Sequence, residues 1–108
     1  MIVEDLKVLL ASSYSYSLKA QYFHWNVEGG DFAQLHDFFG DVYQEVYDTI
    51  DTNAELIRQL DSYAPGSYNR FRELSTVADQ TKVPRASMMI EELLEDTNKM
   101  LDLTKRMF

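Results

Sequence analysis

Both histidines of the chain, its single tryptophan and a carboxylate pair one helical turn apart fall in the stretch from His24 to Glu55. His24, His36, Asp51 and Glu55 are imidazole and carboxylate donors, the set that non-haem iron, manganese and zinc accept where thiolates are absent. The chain has no cysteine, which also removes disulfide frameworks and thiol nucleophiles and fits a reducing cytoplasm. Its 18 acidic residues against 10 basic ones leave a formal charge of -8, a field that attracts cations and repels nucleic acid and anionic membrane surface. Metal ions are therefore favoured over DNA as partners.

Taken singly, none of these residues is a strong sign. A histidine near a helix end is more often a cap or a hydrogen-bonded packing residue than a ligand. An Asp/Glu pair at i, i+4 usually faces water. Their joint placement carries the hypothesis, so the elements that hold them matter most.

At 108 residues the chain is expected to be one domain with a modest core. Only four glycines and two prolines occur, and long gaps between such residues mean long helices. Val3, Leu6, Leu10, Ser13, Ser17, Ala20, His24 and Val27 recur at three-four spacing and predict a first helix over about 3–28. The small residues at 13, 17 and 20 allow a neighbouring helix to come close, while Tyr14, Tyr16, Tyr22, Phe23 and Trp25 demand cover on several faces. Gly29-Gly30 stops this helix, and Asp31 with Gln34 three residues on reads as a capping box for the next.

The second helix is expected over about 32–62, with Leu35, Phe39, Val42, Val46, Ile50, Ile57 and Leu60 as its inner stripe. So short a connection makes the first two helices antiparallel neighbours. Pro65-Gly66 predicts a turn, Tyr68 to Leu74 a short helix resting on Phe71 and Leu74, and Ser75 to Val83 an extended link. A third long helix follows over about 86–107, with a stripe of Ile90, Leu93 or Leu94, Thr97, Leu101, Thr104 and Phe108. Glu91, Glu92, Glu95 and Asp96 read as its solvated face. The fold class is all-α. No run approaches the roughly 20 apolar residues of a membrane helix. Glu4, Asp5 and Lys7 interrupt the apolar residues at the start, so a signal-peptide core is not expected.

In an antiparallel hairpin His24 and His36 both lie beside the connecting loop and can approach each other. Asp51 lies fifteen residues beyond His36, roughly 22 Å along a helix axis, so one chain cannot close this set on one ion. His36 to Asp51 is a rotation of about 60°, and Glu55 sits about 40° further round, which puts all three on one side. A two-fold axis that sets the second helix antiparallel to its copy would bring histidines of one chain against carboxylates of the other. Two equivalent sites would form per dimer.

His24-Trp25-Asn26-Val27, Asp31-Phe32, Leu35-His36, the Asp51 and Glu55 spacing and the turn Ala64-Pro65-Gly66-Ser67 together resemble the Dps proteins, or mini-ferritins, of the ferritin-like superfamily. The resemblance spans Leu6 to Phe108. It implies a ferritin-like four-helix bundle, assembly into a hollow homododecamer, and a ferroxidase centre between subunits that oxidises Fe(II), preferably with hydrogen peroxide, and stores the ferric product. By this resemblance His24 and His36 of one subunit, with Asp51 and Glu55 of its partner, would ligate a di-iron centre that Zn or Mn could also occupy. Glu55 would bridge the two irons. Trp25 matches a tryptophan near the iron centre, where it traps oxidising equivalents or simply anchors the interface.

Three departures from the family pattern bear on function. Members often carry a carboxylate four residues after the second histidine, where this chain has Gly40, so the second iron position is expected to be weak or water-filled. Asp37 and Asp41 are the residues that would compensate through water. The basic tail through which many relatives bind DNA has no counterpart in Met1-Ile2-Val3-Glu4-Asp5, which argues against DNA binding. The family has a further long helix after the place where this chain stops, so the expectation is a bundle lacking its last helix. The rival readings are a non-catalytic helical assembly with a degenerate metal site, and a DNA-compacting protein.

Overall fold

A computed structural model of the chain describes residues 1–107. It contains α1 (Ile2–Asn26), α2 (Phe32–Tyr47), α3 (Ile50–Gln59), α4 (Tyr68–Leu74) and α5 (Ala86–Met107), with no strand among the described residues. The expected all-α class holds, and α1 is the axis on which α2, α3, α4 and α5 all pack.

The small residues of α1 do what their size allows. Ser17 Oγ donates to the Tyr43 carbonyl of α2 at 2.9 Å, a contact that needs close approach of the two backbones. Tyr16, Ala20, Phe23 and Val27 bury against Phe39 of α2 and Met89 and Leu93 of α5, and Leu6 and Leu10 bury against Ile50 and Ile57 of α3. Each fully buried large side chain contributes on the order of 1.5–3 kcal/mol, so these two clusters hold the bundle together.

The single second helix expected over about 32–62 is two helices, α2 and α3, parted at Asp48 and Thr49. Thr49 Oγ1 donates to the Val46 carbonyl at 2.7 Å, and its amide bonds the same oxygen at 3.1 Å. A hydroxyl that competes for a helix carbonyl in this way locally tightens and bends the helix. The far end is also shorter than expected. Asp61 takes a left-handed conformation at φ 64°, Ser62 N–H bonds the Ile57 carbonyl and Asp61 N–H the Arg58 carbonyl, which is a Schellman stop with aspartate where glycine is usual. At the other end, α1 stops at Asn26 with Val27 extended. Gly29 at φ 112° makes the turn into α2. Asp31 occupies the N-cap position of α2, but its side chain makes no capping bond, so the expected capping box does not form.

The inner face of α5 matches the expected one at Leu93, the buried member of the Leu93 or Leu94 alternative, and differs elsewhere. Met89, Leu93, Asp96 and Leu103 are buried, with Met100 and Met107 packed beside them, whereas Ile90, Leu94 and Leu101 are exposed. Phe108 lies outside the described residues. The true stripe is offset by one residue, about 100° of rotation, and it contains a charge. Asp96 is therefore not part of a solvated face: its Oδ2 is 2.8 Å from Lys19 Nζ of α1. Lys19 also donates to the Ala78 carbonyl at 2.8 Å and pairs with Glu92 at 3.1 Å, while Asp96 Oδ1 accepts from Ala78 N–H at 3.2 Å. With Thr76 N–H bonded to Ser12 Oγ at 2.9 Å, these contacts strap the extended link across α1. No helix among the described residues is long and apolar enough to cross a membrane.

Candidate metal centre

His24 stands in the last turn of α1 and His36 in the second turn of α2, so the short loop sets them face to face. Their rings stack with centroids 3.9 Å apart and 19° between planes. His24 Nδ1 lies 2.6 Å from the His36 carbonyl oxygen, and His36 Nδ1 lies 2.7 Å from the His24 carbonyl oxygen. A bare nitrogen lone pair facing a carbonyl oxygen would be repelled, so each Nδ1 carries the proton and donates. In the neutral ring Nε2 is then the unprotonated atom, the form in which imidazole binds a metal, with its tautomer held by the carbonyl behind it.

The two carbonyls are reachable for different reasons. His24 is among the last four residues of α1, whose carbonyls lack an intrahelical donor, and His36 Nδ1 satisfies one of them. The His36 carbonyl lies inside α2, and there the route is over Gly40: a Cβ at that position would stand 3.0 Å from both Cε1 and Nδ1 of His24. Phe32 stacks on the outer side of His36 at 5.3 Å, Tyr43 lies 5.6 Å from His24, and the buried Phe23–Phe39 pair belongs to the core at this end of the bundle. Sequence reasoning missed Phe32, Tyr43 and Gly40 as supports of the pair. The signals available were an aromatic four residues before His36 and a glycine four residues after it.

Asp51 falls in the first turn of α3, where the helix dipole favours a carboxylate, and Glu55 follows one turn later. Both are exposed. Among the described residues no group of three or more His, Cys, Asp or Glu side chains comes together to hold a metal, so within one chain the imidazole pair and the carboxylate pair remain separate half-sets. The break at Asp48 and Thr49 lies between them and replaces the uninterrupted helix on which the expected 60° rotation rested.

Trp25 is 59% exposed and borders a depression between α1 and the link with Leu18 and Tyr22. Asp37 and Asp41 are exposed on α2. The donor set, two imidazoles whose Nε2 atoms make no hydrogen bond plus two exposed carboxylates, fits a borderline divalent ion of the iron, manganese or zinc kind.

The profile of the ferritin-like domain matches residues 3–108. An uncharacterized low temperature-induced protein of Nostoc sp. is 33% identical over 101 residues, covering 93% of this chain and 56% of that protein. The DNA protection during starvation protein of Helicobacter pylori is 35% identical over 94 residues, covering 86% of this chain and 65% of that protein. The chain thus spans somewhat over half the length of these curated relatives. Among solved structures, Dps from Staphylococcus aureus superposes with a TM-score of 0.94 at 28% identity, covering 98% of this chain and 71% of that one. On the profile match and this superposition, the chain belongs to the ferritin-like domain family, as a Dps-type mini-ferritin.

Proposed function

We propose that the protein binds, oxidises and stores iron, with Fe(II) as the substrate of a ferroxidase centre assembled between two subunits. His24 and His36 of one subunit supply the imidazole ligands and Asp51 and Glu55 of the partner the carboxylates. The observation that carries this reading is the exchanged pair of Nδ1–carbonyl bonds, which leaves two adjacent imidazoles with Nε2 uncommitted.

The residues divide the work. The imidazoles bind the divalent ion as neutral donors, and the carboxylates compensate charge as the ion becomes trivalent, which hard oxygen ligands favour. Asp51 and Glu55, exposed one turn apart, present this charge to a partner chain without desolvation inside their own subunit. Hydrogen peroxide is the oxidant of this reading: two Fe(II) each lose one electron, the O–O bond breaks, and two protons are taken up to give two waters. The acidic balance of the chain favours a cation substrate and supports neither DNA compaction nor contact with anionic membrane. Closed assembly, of the dodecameric kind, and a cytoplasmic setting complete the proposal.

The test is anaerobic addition of Fe(II), then peroxide, with ferric absorbance followed in wild type and in the Asp51→Ala/Glu55→Ala variant. Wild type is expected to oxidise iron well above the buffer rate and the variant to fall to it. Equal rates in wild type and buffer remove the enzymatic reading and leave a helical assembly.

A further inference from the structure

Gly40 lies in the interior of a 16-residue helix, where glycine is a poor helix former. Its backbone is not the reason, because Gly29 is the one glycine with positive φ among the described residues. Space is the reason. Helical side chains lean toward the N-terminus, so a side chain at position 40 covers the turn around residue 36. The His24 ring already lies there, and an added Cβ meets its Cε1 and Nδ1 at 3.0 Å and its Nε2 at 3.8 Å. The His36 carbonyl that His24 Nδ1 reaches at 2.6 Å is also the acceptor that helix geometry assigns to the Gly40 amide, so the imidazole can approach it only from the side.

We propose that Gly40 is a positioning residue: its bare Cα seats the His24 imidazole, which lets Nδ1 donate to the His36 carbonyl and keeps Nε2 free for the metal. The inference rests on the reading of His24 as a ligand. The ring is hemmed in by the stacked His36 on one face and by its own hydrogen bond, so a methyl at position 40 displaces it by a few tenths of an ångström and loosens both contacts. Gly40 is thereby a support of the site, and its lack of a side chain is the useful property.

Gly40→Ala is the test, read in three ways. Imidazole nitrogen NMR of the metal-free protein at about pH 8, where unperturbed histidine is neutral, is expected to show His24 as the Nδ1–H tautomer in wild type and as a mixture in the variant. Calorimetric titration with Zn(II), a redox-silent probe, is expected to show affinity falling roughly 10–100-fold, the usual effect of losing a support behind a metal-binding histidine. Thermal melting is expected to show alanine at 40 raising Tm in a His24→Ala background, where the seat is empty, and lowering it when the ring is present. The background comparison reads the seat even where Gly40→Ala alone is poorly stable. Equal gains in Tm in both backgrounds, with tautomer and Zn(II) affinity unchanged, would make Gly40 a simple helix defect and overturn the proposal. If Zn(II) binding by wild type is insensitive to His24→Ala, the metal-centre reading fails instead, and the tautomer and melting comparison still decide the seat.

Discussion

Replacing Asp96 by alanine strands the Lys19 ammonium in the interior of the bundle. The lysine side chain is 5% exposed and the aspartate 2%, with 2.8 Å between Nζ and Oδ2. Removing one partner of a buried pair costs about 3–5 kcal/mol, because the surviving charge stays out of water. Glu92, 3.1 Å from Nζ and 22% exposed, remains to compensate in part, so the lower end, about 3 kcal/mol, is expected. The Ala78 amide loses its acceptor as well, which loosens the link over α1. For a domain of this size, about 4–8 °C of melting temperature per kcal/mol turns that cost into a fall of roughly 12–24 °C. The double variant Lys19→Met/Asp96→Leu removes both charges and is expected to recover most of the loss, since an apolar pair of similar volume often matches or exceeds a buried ion pair. Thermal and urea unfolding followed by far-UV circular dichroism measure all three proteins. A fall below about 4 °C for Asp96→Ala, or a double variant as unstable as the single one, would refute the assignment of this pair as a buried structural charge.

Phe23, fully buried on α1 in the cluster with Phe39 of α2, is expected to cost about 3–5 kcal/mol on replacement by alanine, read from the denaturation midpoint; a loss under about 1 kcal/mol would mean that the core does not centre on it. Asp61→Gly is expected to stabilise by about 0.5–1 kcal/mol, because glycine takes the left-handed C′ position without the steric cost that aspartate bears. Asp61→Val should shift the midpoint the other way, and the same sign for both would show that the Schellman stop is not what ends α3.

The departures between expected and observed structure have specific causes. The spacing gives Ile90, Leu93 or Leu94, Thr97, Leu101 and Thr104 as the inner face of α5, and of these only Leu93 is buried. Asp96 sits in the true stripe of Met89, Leu93, Met100, Leu103 and Met107, and its charge breaks the pattern that would have revealed it. The apolar stripe of the second helix continues through Asp48 and Thr49, so nothing in its period marks the break at which the Thr49 hydroxyl bonds the Val46 carbonyl. Gly40 reads as a weakness in a helix and, by resemblance, as a lost ligand, until the His24 ring is seen above it.

The sequence by itself determined the all-α class, the span of α5, the short helix at Tyr68–Leu74 and the antiparallel hairpin that brings His24 and His36 together. It also set Asp51 and Glu55 too far along the second helix to join the histidines within one chain. These are consequences of local rise, period and loop length, which a chain carries residue by residue. The tertiary structure decided which face of α5 turns inward, that Asp96 is buried against a lysine 77 residues away, and that each histidine Nδ1 faces the other histidine's carbonyl. Those depend on the angle and distance at which helices meet, and no single helix encodes them.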